Sequence, residues 1–187
     1  KVVWWLHDIV QLSYLKDNTF EQVDHIVALS EYCKQTYSDF YGLSKDKLTV
    51  IPNGVDQKIF YPGEYEKRDP NLFITASAPC KGTMPLYSTF QNLYRLNPSL
   101  DFRIYSSQKL HGMPDSPEHE AFLQRMERSG AHVYAPVSPE VLGHLMRKTW
   151  VFLMPNSYPE ICSNLLFQAQ ACSCPVVTSN IGSAPEF

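Results

Sequence analysis

Short runs rich in β-branched and aromatic residues recur along the chain at positions 2–5, 25–29, 48–51, 72–76, 102–105, 133–134, 151–154 and 176–178. Between them, apolar residues return at helical spacing. Thr83 and Pro85 open one such segment, with Leu86, Phe90 and Leu93 on its apolar face. Ser138 and Pro139 open another, carrying Val141, Leu142, Leu145 and Met146. A serine or threonine followed by proline is a helix-start signal, because the hydroxyl satisfies a free backbone N–H and proline needs none. Strands alternating with amphipathic helices predict an α/β fold of parallel sheets with crossover helices.

Punctuation divides this pattern. After the strand at 48–51, Pro52-Asn53-Gly54 is a turn, and an irregular charged stretch runs on to Asp69-Pro70. A domain junction is expected there, with residues 1–53 in one domain and 54–187 in another. Residues 106–120, with Gly112, Pro114 and Pro117, read as a second long loop.

Composition narrows the class. A chain of 187 residues with 44% hydrophobic and 19% charged content buries a sizeable core. The net charge is -3 and no basic run exceeds a pair, so nucleic acid is not an expected partner. No apolar run approaches the roughly 20 residues that span a bilayer. The opening run at 1–6 is broken by His7-Asp8 too soon for a signal peptide, and a cytoplasmic location is expected. Five cysteines, at 33, 80, 162, 172 and 174, lack zinc-site spacing and read as reduced, mostly buried thiols, with no metal site.

The most informative stretch is Tyr158-Pro159-Glu160-Ile161-Cys162-Ser163-Asn164, followed by an apolar helical run from Leu165 and then Pro175-Val176-Val177. A carboxylate at the mouth of a loop accepts from sugar hydroxyls, and the helix start behind it offers backbone N–H groups and a positive dipole end to a phosphate. With Pro52-Asn53-Gly54-Val55-Asp56, this stretch resembles the retaining glycosyltransferases of the GT-B fold, family 4, over nearly all the chain. The resemblance implies Rossmann-like parallel sheets with helices on both faces: the tail of an acceptor-side domain followed by most of a donor domain, incomplete at its C-terminus. The 187-residue segment alone is then expected to be inactive.

The resemblance also implies roles. Glu160 is expected to contact the donor sugar and Gln168, where the family has a second glutamate, the ribose; an amide there keeps a hydrogen-bonding group but loses charge. Lys81, in Ser77-Ala78-Pro79-Cys80-Lys81-Gly82, matches the lysine that meets the diphosphate, with Ser77 beside it. The family's arginine about five residues earlier is replaced by Ala76. His7 matches a strand-end histidine facing the donor, and Asp8 is a weaker acceptor-side candidate. Ile161, Cys162, Ser163 and Asn164 would line the donor loop, and Val137 in the 134–137 loop the base. Taken singly, Ser163 is equally an N-cap and Asn164 a first-turn residue.

The expected activity is transfer of a hexose-type sugar, with retention and without a cofactor, from a nucleoside diphosphate sugar to a hydroxyl on a glycan, lipid or protein. Peripheral membrane association of a longer protein is left open. A non-catalytic nucleotide-sugar-binding subunit is the alternative from another class, favoured by Gln168 and Ala76. A nucleotide-sugar epimerase would need its own acid and base, and no carboxylate pair is placed for one.

Overall fold

The structure, a computed structural model, describes residues 1–9, 18–78 and 81–187. Its strands are β1 (Val3–Trp5), β2 (His25–Ala28), β3 (Leu48–Val50), β4 (Asp69–Ala76), β5 (Asp101–Tyr105), β6 (His132–Tyr134), β7 (Thr149–Met154) and β8 (Val176–Thr178). Its α-helices are α1 (Glu31–Tyr41), α2 (Thr83–Leu96), α3 (Pro117–Arg128), α4 (Pro139–Lys148) and α5 (Asn164–Ala171). Every strand lies on a run anticipated from the sequence, and all the strand pairs are parallel. Residues 106–120 are not one long loop. Ser116 caps α3 by accepting from the His119 N–H at 3.2 Å, and Pro117 is the first helical residue, so the proline read as loop punctuation starts a helix.

The described residues form two compact units. The first contains residues 1–54 together with 159–164 and 180–187. The sequence reading had put both of those later segments in the second domain. Its sheet runs β1-β2-β3, with Ile26 and Ala28 of the central strand completely buried. Helix α1 returns the chain between β2 and β3 and ends at Gly42, whose φ of 63° is the left-handed conformation glycine adopts freely. Ile161 is buried in the same core as Leu6, Phe20, Ile26 and Leu48, which is how the 159–164 loop comes to belong to this unit. Residues far apart in sequence thus share one apolar cluster.

The second unit contains residues 55–158 and 165–179. Its sheet order is β6-β5-β4-β7-β8. From β4 the chain winds outward through β5 to β6, then α4 carries it back across to β7 on the other side of β4. A topological switch point therefore lies between β4 and β7. The core is Phe90, Phe102, Ile104 and Met126, none exposed to solvent. Arg68, just before β4, is buried, and its guanidinium donates to the carbonyls of Met146 (3.0 Å), Thr149 (2.7 Å) and Cys172 (2.7 Å). It adds a donor to carbonyls near the C-terminal ends of α4 and α5, beside the Thr149 N–H on Met146 and the Gly63 N–H on Cys172.

Candidate functional site

In open parallel sheets, ligands settle beyond the carboxyl ends of the strands that flank the switch point. In the second unit those strands are β4 and β7, and the loops that follow them meet. The Ser157 N–H donates to the Lys81 carbonyl at 3.1 Å. Gly82 has φ 142°, and a Cβ built on it would lie 1.9 Å from the Pro155 carbonyl oxygen. No other residue fits so close to a neighbouring backbone.

Lys81 and Gly82 line a narrow recess of about 10 Å³ with Thr75 and Ser77 from the end of β4, Ser106 after β5 and Pro155 after β7, together with the apolar Leu86, Ile104 and Phe122. The wall is itself hydrogen-bonded: the Ser106 hydroxyl donates to the Ser77 carbonyl at 2.7 Å, and the Ser77 N–H to the Tyr105 carbonyl at 3.3 Å. Further along, Asp115 accepts from the Ser107 hydroxyl (2.7 Å) and the Gln108 N–H (2.6 Å), which holds the chain after β5 in a closed turn. The Gln108 amide and Ser107 hydroxyl keep the Asp115 carboxyl below its ordinary pKa.

Ser77 and Lys81 are therefore brought together. Ala76, where the resemblance led us to expect an arginine, is buried at the end of β4. Val137 lies half-buried in the loop between β6 and α4, two strands from β4. Gln168 is half-buried in α5, and its carbonyl accepts from the Cys172 N–H at 3.1 Å. Ser106 and Ser157 were not singled out from sequence, and Gly82 only as the neighbour of Lys81 in the 77–82 stretch. Ser106 carried a signal, its place directly after a predicted strand, whereas the contact of Ser157 with Lys81 has no local trace.

The first unit carries the remaining candidates. Glu160, half-buried, has its backbone enclosed by the turn at 182–183: the Ser183 N–H donates to the Glu160 carbonyl at 2.9 Å. A Cβ on Gly182, whose φ is 59°, would approach that same oxygen to 2.5 Å. Ile161 anchors the loop in the core. Ser163 is buried immediately before α5, which begins at Asn164. The Asn53 side-chain amide donates to the Asn164 Oδ1 at 2.9 Å, so a residue read from sequence as a turn former also braces this loop. His7 is exposed two residues past β1, with its ring 5.2 Å from Trp5. The Tyr37 hydroxyl donates to the Asp8 carbonyl at 3.0 Å, which fixes the backbone after His7.

Cys33, Cys162, Cys172 and Cys174 are free thiols, while Cys80 lies outside the described residues. Burial pushes the Cys162 thiol up, against the opposing effect of the Asn53 backbone, and so disfavours the thiolate. Burial takes Cys174 up to about 11. Among the described residues, no group of three or more His, Cys, Asp or Glu is placed to hold a metal ion. No described helix is long and apolar enough to cross a membrane.

Residues 1–58 match the family model described as Glycosyltransferase Family 4. The chain is 26% identical over 188 residues to an MMP α-(1→4)-mannosyltransferase of Mycolicibacterium hassiacum, covering 98% of this chain and 44% of that protein. It is 25% identical over 176 residues to a D-inositol 3-phosphate glycosyltransferase of Segniliparus rotundus, covering 87% of this chain and 38% of that protein. It thus spans less than half the length of these relatives. Among solved structures, a glycosyltransferase from Rickettsia africae superposes with a TM-score of 0.77 at 18% identity, covering 98% of this chain and 52% of that one. Anabaena HepE in complex with UDP-glucose superposes with a TM-score of 0.74 at 17% identity, covering 98% and 54%. At such identities the structures speak to fold, which is GT-B. Sequence kinship and fold agree: the chain has the fold of the GT-B glycosyltransferases and is similar in sequence to glycosyltransferases of family 4.

Proposed function

We propose that the protein carrying this chain is a retaining hexosyltransferase, moving a sugar from a nucleoside diphosphate to a hydroxyl of a glycan, lipid or protein acceptor. The observation that carries the reading is the meeting of the Lys81-Gly82 and Pro155-Ser157 loops at the switch point of the second sheet, with a lysine and two serines lining the recess. In this reading the Lys81 ammonium neutralises charge that grows on the diphosphate as the glycosidic bond breaks. Ser77 and the backbone amides at the start of α5 supply further donors to the phosphates. Glu160 accepts from hydroxyls of the transferred sugar, Gln168 meets the ribose, His7 donates to the sugar or a phosphate, and Val137 flanks the base. Ile161, Cys162, Ser163 and Asn164 shape the loop between sugar and phosphate. That the reaction needs no cofactor is proposed on the resemblance in sequence. Retention of configuration rests on the resemblance in sequence.

Two variants of the full-length protein test the assignment. Glu160→Ala is expected to lower turnover while leaving affinity for the bare nucleoside diphosphate nearly unchanged, since its partner is the sugar. Lys81→Ala is expected to weaken nucleoside diphosphate binding by roughly 1.5–3 kcal/mol, the scale of one charge-assisted hydrogen bond, with little effect on the nucleoside. Calorimetric titration showing equal losses for nucleoside and diphosphate in Lys81→Ala would remove the phosphate role. Ala76 and Gln168 favour a second reading, a nucleotide-sugar-binding subunit. Tight diphosphate binding without release of sugar from any UDP- or GDP-hexose would select it.

A further inference from the structure

The first turn of α1 accounts for every one of its backbone donors, and it does so with a residue from the far end of the chain. The Ser30 hydroxyl accepts from the Cys33 N–H at 2.9 Å, and the Ser30 carbonyl from the Lys34 N–H at 3.0 Å. The two remaining donors, the N–H groups of Glu31 and Tyr32, both go to the Glu186 carboxylate, at 2.7 and 2.6 Å. A carboxylate at a helix N-terminus gains from both the hydrogen bonds and the dipole. Here that gain is applied to a turn that has a second contact.

Glu186 closes the 3-10 turn Ala184–Glu186, and its own N–H donates to the Ser183 carbonyl at 3.0 Å. Ser183 and Gly182, directly before that turn, enclose the Glu160 backbone as described above. The Glu186 charge also reaches the Cys162 thiol, two residues beyond Glu160. A continuous path therefore runs from α1 through one carboxylate and one tight turn to the peptide that carries the proposed sugar ligand.

We propose that Glu186 is a positioning residue for Glu160: its hold on α1 fixes the 180–187 turn, and the turn fixes the backbone from which the Glu160 carboxylate projects. The catalytic consequence rests on the role proposed for Glu160, and the positioning itself does not. A purely structural cap would stabilise α1 without acting on the loop at 159–164. Ser30→Ala is the matched control, because it removes a cap from the same helix end and leaves the turn untouched.

Hydrogen exchange followed by mass spectrometry on the full-length protein decides the positioning step. Glu186→Ala is expected to speed exchange at 159–164 at least tenfold, Glu186→Gln to give an intermediate gain because one acceptor remains, and Ser30→Ala to stay within twofold of the parent there. Exchange at 159–164 unchanged in Glu186→Ala, or equally fast in Ser30→Ala, overturns the proposal. Turnover with the best donor of a UDP- and GDP-hexose panel then reads the consequence. Glu186→Ala is expected to lower kcat about tenfold with donor KM within threefold, and adding it to Glu160→Ala to cost nothing further. A normal kcat in Glu186→Ala beside a lowered kcat in Glu160→Ala counts against the proposal. If Glu160→Ala itself leaves kcat normal while Glu186→Ala loosens the loop, the role of Glu160 fails and the positioning stands.

Discussion

Gly82 shows how much one residue of the recess is constrained. Its φ of 142° is unfavourable for any L side chain, and even alanine would put a carbon 1.9 Å from the Pro155 oxygen. Neither partner is the flexible end of a side chain, so relief requires the β4 and β7 loops to separate. Gly82→Ala is expected to destabilise the second unit by about 3 kcal/mol, combining backbone strain with the displaced contact. Nucleoside diphosphate binding should weaken in parallel. Urea unfolding and titration check both, and a variant with unaltered midpoint and affinity would show that the loops part freely. Lys81 next to it keeps its place through its backbone, bonded at the N–H to the Ala78 carbonyl and at its own carbonyl to Ser157.

At the scale of elements, the strand β5 presents two different ends. Its carboxyl end feeds the recess through Ser106, while at its start Asp101 pairs with Arg103 and with His132 of β6. The Arg103 guanidinium beside it holds the Asp101 carboxyl below its ordinary pKa, and the same pairing raises that of Arg103. A carboxyl depressed in the folded state stabilises the fold above its unfolded value of about 3.9, and this contribution fades as pH falls through the folded value. Asp101→Asn is therefore expected to cost about 1–2 kcal/mol at pH 7, discounted for the pair's partial exposure, and progressively less below pH 4. Denaturation midpoints of parent and variant from pH 3 to pH 7 test this. A difference that does not shrink in acid would mean that Asp101 acts by shape and not by charge.

For the molecule as a whole, each unit is organised around its own buried strands. Ile26 in β2, and Ile74, Phe102 and Phe152 in β4, β5 and β7, are wholly buried, whereas Val3 and Trp5 of the edge strand β1 are 62% and 49% exposed. Native-state hydrogen exchange is expected to find two separate slow cores, β2 in one and the β5-β4-β7 centre in the other, with β1 exchanging far faster than either. Uniform protection across the first sheet would contradict the exposure of its edge.

Strand runs, helix starts and the α/β class were legible in the sequence, because each depends on periodicity and turn chemistry within about ten residues. Pro117 was misread because a proline between Ser116 and Glu118 is equally a loop signal and a helix start, and the choice depends on whether Met126, nine residues further on, finds a core. Ser77 and Lys81 were named through the resemblance, and both follow a predicted strand. What local pattern could not carry was assembly: that Ser157 meets Lys81, that Arg68 binds three carbonyls, and that Ile161 packs with Leu6. The bond of Glu186 to the Tyr32 N–H joins residues 154 positions apart. Such contacts are chosen by burial and by the need to satisfy every backbone donor at once, and these conditions exist only once the chain has folded.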